Sequence, residues 1–356
     1  MNGTLASYID LLTPWIPTEL ISPPYLHHIR RISQRLPALS FGCFECWLAA
    51  EEPRVDFNVA IAGKLNEHRT VADWVARLPQ PDAEAQTSAL RNLQTICSTW
   101  SSPGFFLSSH IRILWLVYDI VNPLSVVSVP WLYVHFRENQ FMNDAVVRPE
   151  IILQTLALIA NRPISAKTGA IRAFLESIPS RIQIRAVGLP SNRGDNLLRI
   201  YLVMQTYADL QRFITEHAWP GDVNALEQQM SPLIHHCDFF ALLIDVNPAI
   251  QPKIGIECWF NDAQTQDKLI SFTNRLLEAG LCSSQKQAAL LRWNGRFETK
   301  TSPLLWSSPD SIPHTTTEPQ RVVIRKMAQY VKLVYEPGKP VVAKGYLYFD
   351  RLLKGG

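Results

Sequence analysis

Short runs of alternating apolar and polar residues recur along this 356-residue chain, always in twos, with helix-period stretches between them. The alternation predicts strand pairs at 41–48 and 55–61, 110–118 and 131–137, 181–187 and 197–205, 239–246 and 253–260, and 330–335 and 341–349. Turn residues separate the members of each pair: Glu51-Glu52-Pro53, Asn122-Pro123, Ser191-Asn192-Arg193-Gly194-Asp195, Asn247-Pro248 and Glu336-Pro337-Gly338. Helical periodicity predicts helices at 69–78, 85–100, 148–160, 165–177, 206–217, 222–234, 263–279 and 283–293. The proline-rich segment 1–37 reads as two short helices around a loop, and the Ser/Thr/Pro-rich stretch 301–319 reads as a loop. Helix pairs and strand pairs therefore alternate about five times, and this regular spacing argues for a repeated unit within one domain spanning 1–356.

Side chains alternate across a strand, so each run divides into two faces. One face is apolar throughout. It carries Phe44, Cys46 and Val55 in the first pair; Ile111, Ile113, Trp115 and Val117 in the second; Ile184 and Ile200 in the third; Leu242 and Ile256 in the fourth; and Leu333 and Leu347 in the fifth. The other face is polar and aromatic, with Glu45, Trp47, Arg54, Asp56, Arg112, Trp131, Tyr133, Arg185, Arg199, Tyr201, Asp245, Lys253, Glu257, Trp259, Lys332, Lys344, Tyr346 and Tyr348. The apolar face needs cover, which the intervening helices supply. Two α/β architectures satisfy this: an open sheet with helices on one side, or a closed barrel with helices outside and a polar, aromatic lumen. Tryptophans and tyrosines beside arginines and lysines favour an enclosed binding cavity over a face in water.

Composition narrows the function classes. The net charge of +3 and pI near 8.5 are too mild to indicate nucleic acid or an anionic membrane as partner. No apolar run approaches the roughly 18 residues of a transmembrane helix, and Met1 to Trp15 lack a signal-peptide pattern, so a cytoplasmic protein is expected. The six cysteines read as buried thiols; Cys43 and Cys46 form a C-x-x-C, but on a strand their side chains point to opposite faces. The pairs His27-His28 and His235-His236 read as ordinary surface or core histidines, and Asn261-Asp262 as a helix N-cap. There is no P-loop, dinucleotide fingerprint or catalytic triad pattern, and Gly188, Gly194 and Gly255 have no phosphate-loop spacing. Glu-Cys-Trp occurs twice, at 45–47 and 257–259, both times on a predicted strand.

The chain resembles the ABBA prenyltransferases, in their indole (dimethylallyltryptophan-synthase-like) or peptide-modifying branch. Phe44-Glu45-Cys46-Trp47 and Glu52-Pro53-Arg54-Val55-Asp56-Phe57 look like that group's first hairpin. Arg181-Ile182-Gln183-Ile184-Arg185 and Pro252-Lys253 are similar to its third and fourth. Tyr330 to Tyr335 followed by Lys344-Gly345-Tyr346-Leu347-Tyr348 is similar to the fifth, while the second hairpin shows only Arg112-Ile113-Leu114. The resemblance implies a ten-stranded antiparallel barrel of five ααββ repeats with helices outside. It implies metal-independent transfer of a dimethylallyl or longer group from its diphosphate to an aromatic, indole-like, or peptide acceptor, in natural-product biosynthesis, with no cofactor. Glu45 would then act on the acceptor side; Arg54, Arg112, Arg185, Arg199, Lys253, Lys332 and Lys344 would bind diphosphate; and Tyr133, Tyr201, Trp259, Tyr346 and Tyr348 would shield the allylic cation.

The residue types suit that chemistry. Arginine and lysine stabilise leaving oxyanions by charge-assisted hydrogen bonds, aromatic faces stabilise a carbocation and exclude water, and a carboxylate accepts a proton. The same residues admit a structural reading: the basic groups pair with Asp56, Asp245 or Glu257 in a buried network, with Glu45 as one more partner. Several tyrosines of the resembled pattern are missing and the extra acids oppose a diphosphate, so a non-catalytic barrel binding a peptide or small molecule is the alternative. No Asp-Asp-x-x-Asp motif indicates a magnesium-cluster mechanism.

Overall fold

A computed structural model describes residues 4–78, 84–127, 129–138, 144, 146–161, 168–190, 197–247, 249–260, 265–301 and 320–352. The first repeat unit comprises α1 (Leu5–Leu12), α2 (Pro23–Ser33), β1 (Phe41–Trp47) and β2 (Val55–Ala62). The second comprises α3 (Glu67–Arg77), α4 (Glu84–Ser101), β3 (Ile111–Tyr118) and β4 (Trp131–Phe136). The third is α5 (Val147–Ala160), α6 (Thr168–Ser177), β5 (Gln183–Leu189) and β6 (Leu198–Met204). The fourth is α7 (Tyr207–Glu216), α8 (Val223–Ile234), β7 (Phe239–Val246) and β8 (Ile250–Trp259). The last unit begins with α9 (Thr265–Glu278) and α10 (Ser284–Arg292). Its strands are β9 (Gly295–Thr301), β10 (Gln320–Met327), β11 (Tyr330–Tyr335) and β12 (Val342–Leu352).

Local sequence sets the helix starts. Pro23 and Pro24 occupy the first turn of α2, where a missing N–H costs nothing, and Arg30 and Arg31 sit in its last turn against the negative end of the helix dipole. Thr206, Asp222 and Ser283 accept backbone N–H groups at the starts of α7, α8 and α10.

All the described strands are antiparallel neighbours in one sheet, and β1 pairs with β12 from Phe41↔Asp350 to Trp47↔Lys344. The open-sheet alternative is thereby excluded: β1 to β8, β11 and β12 form a closed ten-stranded barrel. β9 and β10 were not expected from the sequence. They form a hairpin whose second strand pairs with the far end of β12 (Met327↔Tyr348), in line with β11 (Val331↔Gly345). The strand pattern there is masked by charge, Arg296, Glu298, Arg321 and Arg325 standing on the exposed extension. Residues 302–319 of the expected loop, the Ser191–Asp195 turn, Pro248 and Asn261-Asp262 lie outside the described residues.

Apolar side chains on the outer barrel face pack against the helices, a second cluster lines the lumen, and the two follow the expected alternation except in β3 and β5. Trp115, Val117 and Ile113 were expected outside but belong to the lumen, while Leu114 and Leu116 face the helices. The reason is a register shift between Ile111 and Ile113, which inserts Arg112 as an extra residue and reverses the parity of everything after it. A second shift between Ile184 and Ala186 does the same at Arg185.

Helix side chains pin the barrel. The Lys286 ammonium on α10 donates to the carbonyls of Trp47 and Ala49, both at 2.8 Å, and to that of Glu52, fixing the β1–β2 turn. Glu67 accepts from the N–H groups of Ser40 (2.7 Å) and Ala62 (2.8 Å), joining the other ends of these strands. On the outer face Phe44 is fully buried among Phe57, Phe349 and Trp293 at ring separations of 5.5, 5.2 and 6.2 Å. Phe44→Ala is expected to cost about 3–5 kcal/mol in urea unfolding. Val121→Ser, at a position 74% exposed, is expected to stay within about 0.5 kcal/mol.

Candidate active site in the barrel lumen

The barrel encloses a cavity of about 880 Å³. Its lining reaches the hairpin tips at Asp119, Val121, Gln251, Glu336 and Lys339, so it opens at that end. The opposite end is closed by Phe41, which packs on Trp115 at 5.1 Å and on Tyr348 at 5.2 Å. The loop after β3 is held at the mouth from α2: the His28 ring donates to the Pro123 carbonyl at 2.8 Å and Arg31 to that of Ser125 at 3.2 Å.

Charged groups occupy the upper lumen and are paired. Arg199 donates two hydrogen bonds to Asp245, each 2.7 Å, and its guanidinium lies 5.4 Å from the Trp131 ring centre. Lys344 donates to Glu45 at 2.8 Å and Asp56 at 3.3 Å. The Trp47 ring centre is 4.6 Å from the Lys344 ammonium and 5.0 Å from the Arg54 guanidinium, and Arg54 is 3.6 Å from Asp56. Lys332 stands 3.9 Å from Glu45 and donates to the Tyr346 hydroxyl at 3.4 Å. Lys253 sits at the rim, half exposed, and pairs with Glu336 at 3.3 Å.

Burial and pairing set the protonation states. Burial opposes ionisation of Glu45, but Lys344 and Lys332 outweigh it and hold its carboxyl well below the usual range. Burial pulls Lys344 down, yet Glu45 and Asp56 raise it above an ordinary lysine, whereas burial leaves Lys332 below one. Glu257 is different: burial pushes its carboxyl up to about 7, only partly offset by Lys332 and by the hydroxyl of Tyr201. His135 is pushed down to about 3 by burial and by Arg185 and Arg112, so it is a neutral imidazole.

Aromatic rings form the lower wall. Trp259 stacks on Tyr330 at 4.1 Å, Tyr330 lies 4.3 Å from Tyr346, and the Tyr330 and Tyr348 hydroxyls are 2.6 Å apart. Tyr201 donates to Glu257 at 2.9 Å and accepts from the Trp259 indole at 3.1 Å.

The cavity wall thus brings together Glu45, Arg54, Arg199, Lys253, Lys332 and Lys344 with Tyr133, Tyr201, Trp259, Tyr346 and Tyr348. It does not include Arg112 or Arg185. Both are the inserted residues at the register shifts; Arg112 is exposed, and Arg185 pairs with Glu138 at 2.5 Å. The sequence reading missed Trp115, whose parity the shift conceals. It named Asp56, Asp245 and Glu257 only as possible ion partners. The repeated Glu-Cys-Trp was the available signal for Glu257, since both copies put Glu and Trp into the lumen.

The fold is similar to that of the prenyltransferase PriB in its ternary complex with L-tryptophan and dimethylallyl thiolodiphosphate. The TM-score is 0.50 at 15% identity, over 96% of this chain and 95% of that one. The chain has the ABBA barrel fold. Apo PriB gives 0.49 at 15% identity, covering 96% of this chain and 94% of that one. The 5-dimethylallyltryptophan synthase from Streptomyces coelicolor gives 0.48 at 13%, covering 98% of each chain. No family model matches the sequence, and no curated protein does. Within the ABBA barrel no helix among the described residues is long and apolar enough to cross a membrane.

The pairing has measurable consequences. Asp245→Ala leaves Arg199 buried and unpaired and is expected to cost about 3–5 kcal/mol; Arg199→Leu with Asp245→Ala is expected to recover most of that in urea unfolding. For Glu257 the folded carboxyl titrates above the unfolded one. Stability is unaffected where both are protonated, falls as pH rises through the interval from the usual carboxylate range to about 7, and stays lower above it. Glu257→Gln is expected to raise stability by about 3 kcal/mol at pH 8 and by almost nothing near pH 4.5, read from unfolding midpoints across pH.

Proposed function

We propose that this protein is a metal-independent prenyltransferase that moves a dimethylallyl or longer allylic group from its diphosphate to an aromatic acceptor. The observation that carries the reading is the division of one closed lumen into a charged mouth and an aromatic floor. A prenyl diphosphate has the same polarity: Arg54, Arg199, Lys253, Lys332 and Lys344 stand where a diphosphate enters, and Tyr133, Tyr201, Trp259, Tyr346 and Tyr348 stand where an allylic tail and a flat acceptor would lie. The volume of about 880 Å³ is within the range of small-molecule sites and accommodates two such ligands. Closure on β1 and β12 keeps water from the carbocation, and ring faces stabilise it. The PriB complex holds a dimethylallyl diphosphate analogue and tryptophan, which supports an allylic donor and an indole-like acceptor here.

One observation favours a second reading. Arg199, Lys332 and Lys344 already face carboxylates, so a diphosphate must draw them away from Asp245, Glu45 and Asp56. A barrel that binds a peptide or small molecule without prenyl transfer needs no such exchange. The two readings separate in one experiment with EDTA present. On the transferase reading, saturating dimethylallyl diphosphate stabilises the fold by about 2.7 kcal/mol at a hundredfold excess over Kd. With a panel of indoles and phenols that includes L-tryptophan, it yields an acceptor heavier by one dimethylallyl group. Absence of both a thermal shift and a product with any allylic diphosphate would overturn the transferase reading and favour the binding one.

A further inference from the structure

Apart from Asp119 and Glu336 at the mouth, the carboxylates that line or flank the lumen are Glu45, Asp56, Asp245 and Glu257, and the first three are committed. Glu45 and Asp56 share the Lys344 ammonium, and Asp56 also accepts the Ile120 N–H at 2.9 Å. Asp245 is chelated by Arg199. Among the described residues Glu257 makes no ion pair; Tyr201 donates to it at 2.9 Å and the Trp259 indole lies within hydrogen-bonding influence of it. It is 4% exposed and lines the cavity, one residue pair across the sheet from Lys332 and two positions along β8 from Trp259.

From this geometry we infer that Glu257, not Glu45, is the carboxylate that accepts the acceptor's ring proton. The inference rests on the prenyltransferase reading. The acceptor ring would lie on the wall formed by Trp259, Tyr330 and Tyr346, beside the Glu257 carboxylate. As the bond from the allylic carbon to its diphosphate oxygen breaks, the electron pair leaves with diphosphate. The acceptor's π electrons form the new carbon–carbon bond. The ring proton at that carbon passes to Glu257, the C–H electron pair restores aromaticity, and Glu257 releases the proton to water through the mouth. The Trp259–Tyr201–Glu257 hydrogen-bond chain holds the carboxylate at the wall.

Basicity follows the same division. A base that acts near neutrality needs a carboxyl raised toward 7, and burial supplies this at Glu257 while Lys344 and Lys332 deny it to Glu45. The charged groups acting on Glu257 are Lys332 on β11 and Glu45 on β1. The titratable groups around it are Tyr133, Tyr201, Tyr330, Tyr346 and Tyr348 and the thiol of Cys43. Burial raises all of them, so they stay neutral through the range in which Glu257 titrates.

The test compares Glu257→Gln, Tyr201→Phe and Glu45→Gln with the unmodified protein, using dimethylallyl diphosphate and the indole and phenol panel. The unmodified enzyme is expected to gain kcat as pH rises through about 7. Glu257→Gln keeps an acceptor for Tyr201. It is expected to lose about 10²-fold or more in kcat, with little change in donor KM, and to lose that pH limb. A deuterium isotope effect at the reacting ring carbon is expected to appear or grow. Tyr201→Phe retains turnover with the limb displaced, and Glu45→Gln retains the limb. Should the unmodified protein turn over and Glu257→Gln keep both rate and pH limb, the assignment is wrong and the transferase reading stands. Should the unmodified protein prenylate nothing, both fall together.

Discussion

A charge enclosed by a closed barrel has lost most of its hydration, and the arrangement of this lumen follows from that single cost. An isolated buried ion is unfavourable by several kcal/mol, so each lumen cation is met by a carboxylate or a ring face. Arg199 has Asp245 and Trp131, Lys344 has Glu45, Asp56 and Trp47, and Arg54 has Trp47 and Asp56. The tryptophans near the mouth are thus electrostatic partners as much as apolar lining. Without the β1–β12 seam the same side chains would lie on a wet sheet surface, where such pairs contribute little.

Pairing also differentiates chemically identical groups. Glu45 and Glu257 sit in the same tripeptide and face the same cavity, yet they end with opposite tendencies. Glu45 lies against two ammonium groups and is held as a carboxylate; Glu257 lies among phenols and is drawn toward the neutral acid. Lys332 stands between them and is itself weakened as a cation by burial. A site that must bind an anion and later accept a proton needs both kinds of carboxylate, one to balance charge and one to exchange it.

The shell outside the barrel holds this arrangement in register. Lys286 gathers three carbonyls at the β1–β2 turn, Glu67 ties the other ends of those strands, and the Trp293 indole donates to the Tyr348 carbonyl at 2.7 Å. The β9–β10 hairpin continues the line of β11 along β12. Its Lys326 ammonium lies 4.6 Å from the Trp15 ring centre and 5.0 Å from that of Trp293, which ties the hairpin to the N-terminal helices.

The period of apolar residues by itself determined the helix pairs, the strand pairs and nearly every lumen side chain. Burial of one face per strand is a local requirement written into alternation, which is why Tyr133, Arg199, Glu257 and Tyr346 were placed without coordinates. The β9–β10 hairpin escaped because its short apolar face, Val322 and Ile324 with Phe297, is interrupted by the charges of Arg296, Glu298, Arg321, Arg325 and Lys326. Arg112 and Arg185 were misplaced and Trp115 overlooked because a one-residue insertion reverses strand parity, and a bulge leaves no mark in alternation until the partner strand is known. Closure of the sheet, the pairing of each cation with its carboxylate, and the contrast between Glu45 and Glu257 were decided by tertiary structure alone. Each depends on distances between strands far apart in the chain, and electrostatic energy depends on those distances and on burial rather than on residue type.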